Sequence, residues 1–406
     1  MKIAILTQYY PPEIGAPQNR LSNLAAHLVS SGHHVTVLTA MPNYPLGRIY
    51  DGYGGIFSRE VRDGVAVLRT FIYATRKSDL VRRVLNYFSF VISSAIIGSV
   101  KLGKQDFLIV ESPPLFLGLS ALMLARVSGA RLIVNVSDIW PDSVARVGMI
   151  RRESAIYKMC LSLEAMLYRN AWLVTGQTKG IVANIRTRFP RSEVYHLPNG
   201  VDLGRFGGVP STSAREELGG REGFVVVYAG LHGLAQALGQ VLEAAALLEA
   251  KGQRARFYFI GDGPEKQALG EQARKLGLQH VVFMPSIANA RIPSILASAD
   301  AVLVPLRKGF DDAVPSKLYE AMASGTAIVA TSEGEAAELL QRSGAGLVVP
   351  PENPERLAGA IQQLIDDPEL RKRLASNARQ LVANEYDRQK IAKRFESRLL
   401  AGPTNK

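Results

Sequence analysis

Asp311-Asp-Ala-Val-Pro-Ser-Lys-Leu-Tyr-Glu-Ala-Met-Ala-Ser-Gly325 follows the apolar run Ala301-Val-Leu-Val304. The apolar run has the length and β-branched content of a buried strand. Pro315 and Ser316 suit the start of a helix and Gly325 its end. The segment therefore reads as strand, loop and helix. Lys317 then falls in the first helical turn, where the helix dipole disfavours a cation by about 0.3 to 1 kcal/mol. A bound anion removes that conflict, because free backbone N–H groups at a helix start attract phosphate and a lysine adds a point charge. Glu320 lies one turn further on the same face. The alternative is a solvated i,i+3 pair of Lys317 and Glu320, which contributes only about 0.2 to 0.5 kcal/mol.

The same alternation of short apolar runs and helical segments fills the chain, which is the pattern of parallel sheets covered by helices. Strands are expected at 2–7, 34–39, 65–71, 106–110, 131–136 and 172–175, then at 224–228, 257–260, 281–283, 301–304 and 327–330. Between the two sets, Leu197-Pro198-Asn199-Gly200-Val201-Asp202 breaks the pattern and a polar, Gly-rich stretch follows to Gly223. The expected fold is α/β, with two Rossmann-like doubly wound domains, 1–200 and 201–385, facing a central cleft. Residues 386–406 are expected to form a C-terminal helix that packs back on the first domain. In such sheets ligands bind at the carboxyl ends of strands, so the loops after those strands are expected to hold the chemistry.

The 406 residues suit two domains, and 47% hydrophobic with 21% charged residues supplies ample core material. Cys160 is the only cysteine, which rules out an intramolecular disulfide and leaves a cysteine-based metal site without ligands. Residues 2–7 already read as a strand, so no signal peptide is expected and the protein is assigned to the cytoplasm. The net charge of +12 is uneven: residues 1–200 hold 23 Lys and Arg against 12 Asp and Glu, whereas 201–406 hold 25 against 24. A basic half suits anionic lipid or a phosphorylated partner. Nucleic acid is not expected, because the basic residues are scattered and no nucleic-acid-binding motif accompanies them.

Gly261-Asp-Gly-Pro-Glu-Lys266 directly follows an expected strand, as a glycine turn that approaches phosphate does. Lys266 stands where a dinucleotide fingerprint needs its third glycine, and no acidic residue closes a following strand, which disfavours a nicotinamide dehydrogenase. No G-x-x-x-x-G-K-[ST] occurs, which removes a P-loop NTPase. In the first half, Gly15 and Ala16 end the loop after the first strand and open a helix expected to close at Gly32. Gly15 serves either backbone approach to a diphosphate or an ordinary turn. Asp138 follows the strand at 131–136 beside Trp140 and Asp142, with a helix N-cap as its plain alternative.

Gly261-Asp-Gly-Pro264, Val282-Phe-Met-Pro285, Asp312 through Glu320 and Ala321-Met-Ala-Ser-Gly-Thr326 resemble the C-terminal half of the family 4 glycosyltransferases, which adopt the GT-B fold. Tyr9-Tyr-Pro-Pro-Glu-Ile-Gly15 and Leu197-Pro-Asn-Gly-Val-Asp202 are similar to the same family, so the resemblance runs in order over nearly the whole chain. The Pro-Ser-Lys-x-x-Glu form and Ser137-Asp-Ile-Trp-Pro-Asp142 resemble a branch that builds bacterial O-antigen or capsule repeats, of the N-acetyl-fucosamine transferase type.

The resemblance implies a retaining, metal-independent transfer of a sugar, an N-acetylhexosamine or deoxy-N-acetylhexosamine, from a UDP-sugar donor to a polyprenyl-diphosphate-linked glycan. No cofactor beyond that donor substrate is implied. By the same resemblance Asp138, Asp312, Lys317 and Glu320 are expected to carry the catalytic roles: Lys317 to hold the diphosphate, Glu320 the ribose, and Asp312 with the Ala313 and Val314 backbone the donor sugar. Gly15, Ala16, Gly230, His232, Gly261, Gly263, Pro285, Ile287, Ser316 and Leu318 are expected to complete the donor site. Two departures from the family stand out. Asp312 is a shorter carboxylate than the family's usual first acid. Tyr228-Ala-Gly-Leu-His-Gly233 has no Arg or Lys before Lys251, which leaves more phosphate charge to Lys317. A UDP-sugar 2-epimerase of the same double fold and a non-catalytic GT-B scaffold at the membrane are the competing readings.

Arg76, Lys77, Arg82 and Arg83 precede an uncharged run at 84–100 that contains Asn86 and several serines. At 17 residues the run is short of the roughly 20 needed to span a bilayer, so a spanning helix is not expected. Basic residues beside Tyr87, Phe88 and Phe90 suit peripheral attachment to the inner face of the cytoplasmic membrane, and a buried helix covering the sheet is the alternative.

Overall fold

The computed structural model describes residues 1–76, 80–146, 148–206, 210–220, 223–311 and 313–402. Lys77 and Asp312, both singled out above, lie outside the described residues, as does the side chain of Arg83. The chain divides into two compact units, Met1–Asn199 with Arg388–Lys406, and Gly200–Asp387.

The first unit is built on strands β1 (Lys2–Leu6), β2 (His34–Ala40), β3 (Phe57–Arg62), β4 (Val65–Thr70), β5 (Phe107–Ser112), β6 (Arg131–Val136), β7 (Leu173–Gly176) and β8 (Val194–His196). They form one sheet in the order β3-β4-β2-β1-β5-β6-β7-β8, parallel except for β3 against β4. β1, buried on both faces, has β2 on one side and β5 on the other, so the strand order reverses there and the loops after β1 and β5 flank a switch point. Helices Leu80–Lys101, Leu117–Ser128 and Ala155–Asn170 cover one face through Phe90, Leu117, Leu124 and Leu167. Helices Ala16–Ser30 and Arg388–Leu400 cover the other through Leu24, Leu28, Ile391 and Phe395. Glu396 fastens the last helix, pairing with His33 at 2.9 Å and His27 at 3.2 Å.

The second unit repeats the plan with β9 (Phe224–Ala229), β10 (Ala255–Ile260), β11 (Val281–Met284), β12 (Ala301–Pro305), β13 (Ala327–Thr331) and β14 (Leu347–Val349), ordered β11-β10-β9-β12-β13-β14 and parallel throughout. Its switch point lies between β9 and β12. The helix Ser316–Ser324, which the opening stretch encodes, packs into the core through Leu318 and Met322.

Three strands were not anticipated from the sequence. β8 and β14 are three residues each, too short for a periodic signal. β3 is an edge strand, exposed at alternate residues and rich in charge. It pairs with β4 across Asp63-Gly64, both at positive φ. An Asp-Gly step between two alternating runs is a hairpin signature, and it was readable.

The carboxyl ends of β5, β6 and β7 carry a buried polar network. Arg20 donates to Glu111 Oε1 at 2.5 Å, to Ser137 Oγ at 3.0 Å and to Asn199 Oδ1 at 3.1 Å. Asn135 donates to the other Glu111 oxygen at 2.5 Å and accepts from Thr175 at 2.6 Å. Arg20 and Glu111 are almost fully buried, where removing one partner leaves an uncompensated charge. Arg20→Met is expected to destabilise the first unit by about 3 to 5 kcal/mol, read from denaturant midpoints with a probe in that unit. A loss of under about 1 kcal/mol would show that the network does not hold the strand ends.

Candidate active site

Lys317 sits where the second unit's switch point predicts a ligand. Its helix begins with Pro315 in extended backbone, without a side-chain cap and with no acidic residue in the first turn. The Lys317 chain runs back over the end of β9, so that Nζ donates to Tyr228 Oη at 2.7 Å and lies 4.6 Å from the centre of that ring. Tyr228 is fully buried and donates its own hydroxyl to the Leu231 carbonyl at 2.5 Å. One phenol thus fixes both the ammonium and the loop after β9. Burial lowers the Lys317 pKa to about 8, opposed by the charge of Glu320, as expected for an ammonium removed from water beside one acid.

The glycines explain how the lysine fits. A Cβ at Gly230, whose φ is +147°, would collide with the Lys317 chain. Gly261 and Gly263, anticipated as approaching phosphate, approach protein instead: a Cβ at Gly261 would strike the Gly230 carbonyl, and one at Gly263 the His232 carbonyl. The two loops are zipped by Gly230 N–H to Ile260 O at 2.8 Å, His232 N–H to Asp262 O at 2.9 Å and Glu265 N–H to His232 O at 3.0 Å. Lys266, in place of a third glycine, donates to the Gly261 and Met284 carbonyls at 2.7 and 3.0 Å, so its ammonium serves the loop frame.

His232 does not present its ring to the site. The side chain is completely buried, its ring lies 6.2 to 6.3 Å from those of Phe283 and Phe259, and neither ring nitrogen has a hydrogen-bond partner. Val314 and Leu318 likewise turn their side chains into the core. The Leu318 N–H is taken by Pro315 O at 2.9 Å and the Ala313 N–H by Phe310 O at 3.2 Å, which leaves Ala313 no amide for a sugar. Ser316 and Glu320 are half-buried at the helix start, Ile287 packs partly against the core, and Pro285 is exposed at the end of β11.

In the first unit, Gly15 has extended backbone, φ 174°, and caps the helix Ala16–Ser30 without a side-chain hydrogen bond. A Cβ there would meet only the amide end of Gln18. The preceding loop is held by Glu13, a buried carboxylate that accepts from the N–H groups of Asn43 and Tyr44 at 2.8 Å and of Tyr10 at 3.2 Å. Arg20 and Glu111 carry no signal in the sequence, because a lone polar residue in or beside an apolar run makes no local motif, while Glu13 and Tyr228 stand in the segments 9–15 and 228–233 whose pattern does not say what their side chains hold. Asp138 is exposed just after β6, whereas Asp142 is engaged by Tyr157 Oη at 2.6 Å. Among the described residues no group of three or more His, Cys, Asp or Glu gathers as a metal site would require.

Two family models match: a glycosyl transferase 4-like domain over residues 15–200 and glycosyl transferases group 1 over residues 212–381. The chain belongs to the family 4 glycosyltransferases. This glycosyltransferase is 27% identical over 377 residues to WcaI of Escherichia coli (strain K12), described by name as a colanic acid biosynthesis glycosyl transferase, covering 90% of this chain and 92% of WcaI. Its fold matches sucrose-phosphate synthase from Thermosynechococcus elongatus with a TM-score of 0.77, at 18% identity over 99% of this chain and all of that one. Anabaena Alr3699/HepE, solved in complex with UDP and glucose, matches with a TM-score of 0.74, at 19% identity over 99% and 100%. The two parallel-sheet units are those of the GT-B fold.

The burial of His232 is expected to make the glycosyltransferase acid-sensitive. Burial first, then the charges of Lys266 and Lys317, push its pKa down from 6.5 to about 4. Because the unfolded chain binds this proton more readily, stability is complete above pH 6.5 and falls as pH drops towards 4, by up to about 3 kcal/mol. His232→Phe, which keeps a ring among Phe259 and Phe283, is expected to flatten that decline in melting temperature measured from pH 7.5 to 4.5. An unchanged slope would place the acid sensitivity elsewhere.

Proposed function

We propose that this glycosyltransferase moves an N-acetylhexosamine or deoxy-N-acetylhexosamine from a UDP-sugar to a polyprenyl-diphosphate-linked glycan, with retention of configuration and without a metal ion. Its place is bacterial surface polysaccharide synthesis at the inner face of the cytoplasmic membrane. The observation that carries the donor reading is Lys317: a half-buried ammonium at an uncapped helix start, held by Tyr228 and opposed by no acid in the first turn. The name of WcaI supports the polysaccharide setting, and the UDP and glucose in the Alr3699/HepE complex support the donor class.

Lys317 and the helix start stabilise the departing diphosphate, which is electrostatic catalysis aimed at charge that develops as the glycosidic phosphate bond breaks. Glu320 holds the ribose, and the segment around Asp312 and Val314 holds the donor sugar. A phosphate oxygen of the leaving group takes the proton of the attacking acceptor hydroxyl on the same face of the sugar, so Asp138 orients groups rather than acting as the base. Because the loop after β9 brings no Arg or Lys of its own before Lys251, the positive charge offered to the diphosphate there is concentrated in Lys317.

Incubation with labelled UDP-sugars, with and without a polyprenyl-diphosphate glycan and in the presence of a chelator, is expected to give transfer only with acceptor. Sugar conversion without acceptor would establish the epimerase reading, and neither product would establish a scaffold. Lys317→Met is expected to weaken UDP binding by about 10- to 100-fold, in line with loss of a charge-assisted contact. In the wild type, UDP affinity is expected to fall as pH rises through about 8, and in Lys317→Met to stay flat over that range. Equal affinity in the two proteins would sink the assignment.

A further inference from the structure

On the helices of the first unit, exposed apolar side chains concentrate on one face of the sheet. Twelve large hydrophobic residues on the helices Leu80–Lys101, Leu117–Ser128 and Ala155–Asn170 are exposed, whereas no other described helix in either unit carries more than one. On the first helix they include Leu85, Ile92, Ile96 and Val100, at steps of seven, four and four residues, which is one face of a helix. Leu119, Met123 and Val127 repeat the four-residue step on the second, and Ile156, Met159 and Met166 line the third. The second helix packs between the other two, so the three stripes adjoin.

The charges on these helices have one sign. Lys101, Arg126, Lys158 and Arg169 are exposed around the stripes, and the single acid on the three helices, Glu164, is buried against Arg188. By length and composition Val84–Lys101 suffices to cross a membrane, but its other face belongs to the sheet core. Phe90 and Ser94 are fully buried, Ser94 Oγ shares a hydrogen bond of 2.9 Å with Ser120, and a Cβ at Gly98 would come within 2.8 Å of Leu124 and Leu38. Spanning would dismantle the unit, so the exposed face is left to lie on a surface. Apolar stripes on helices whose exposed charges are all cations fit the headgroup boundary of an anionic lipid leaflet.

The geometry points to a docking face for anionic lipid formed jointly by these three helices, wider than the segment at 76–100. It rests on the reading of a lipid-linked acceptor but is tested without one. The full chain is mixed with vesicles of phosphatidylcholine alone or with phosphatidylglycerol, free of donor and acceptor, and recovered by flotation. Binding is expected to the phosphatidylglycerol vesicles and to weaken as salt rises. Met123→Glu with Met159→Glu, both away from the Leu80–Lys101 helix, is expected to reduce binding at least tenfold, with the circular dichroism and melting temperature of the wild type retained. Vesicle binding unchanged in that double variant, no vesicle binding by the wild type, or a dimer in sedimentation that the same substitutions dissolve would each overturn the proposal. Transfer to a detergent-dispersed acceptor reports on the reaction separately, so loss of one result leaves the other readable.

Discussion

A lysine seated against a buried tyrosine at the start of a helix is the constraint around which the second unit is arranged. Holding an ammonium half out of water is costly unless something favours its charged form. Here the phenol oxygen and ring of Tyr228 and the nearby Glu320 do so in part, while the dipole of the helix does the opposite. Gly230 has to lack a side chain to leave the lysine room, Gly261 has to lack one to pass Gly230, and Gly263 to pass His232. The buried, neutral imidazole of His232 fills the space beneath the zipped loops. A local electrostatic requirement at one residue thus propagates through three glycines into the loop architecture at the strand ends.

The alternation of apolar runs made two doubly wound sheets legible, because parallel strands buried on both faces are near-continuous apolar stretches. The helix beginning at Ser316 was legible from Pro315 and Gly325, whose conformations the structure shows as extended and left-handed. The purpose of the glycines was not. A glycine turn near a strand end looks the same in sequence whether it makes way for phosphate or for another loop, and only the approach of Gly230 O and His232 O distinguishes the two. Tyr228 was hidden for a related reason: in Phe224-Val-Val-Val-Tyr228 it reads as one more core aromatic, and its hydroxyl acquires a task only when residues 89 positions away fold over it. β3 was missed despite its Asp-Gly hairpin step, since charge and alternation at an edge resemble a loop when strands elsewhere are apolar.

The first unit resolves its buried charge differently. Arg20 and Glu111 satisfy one another and their neighbours at the ends of β5 to β7, so their charges are spent within the protein and the exposed Asp138 stands beside a rigid frame. Its net positive charge is spread over the surface, and part of it edges the apolar helices. One unit thus concentrates charge at a single buried ammonium, while the other neutralises its interior and distributes cations outside.

On the proposed reading, Lys317 is left incompletely compensated so that a diphosphate can complete it. Its titration can be followed directly by NMR of the lysine Nζ and Cε signals, assigned through Lys317→Met, in the free protein and with UDP bound. A midpoint near the value of about 8 set by burial is expected in the free protein, with a rise of at least one pH unit when UDP binds, since an adjacent anion favours the charged form. A midpoint that UDP leaves unmoved would refute the diphosphate assignment of Lys317.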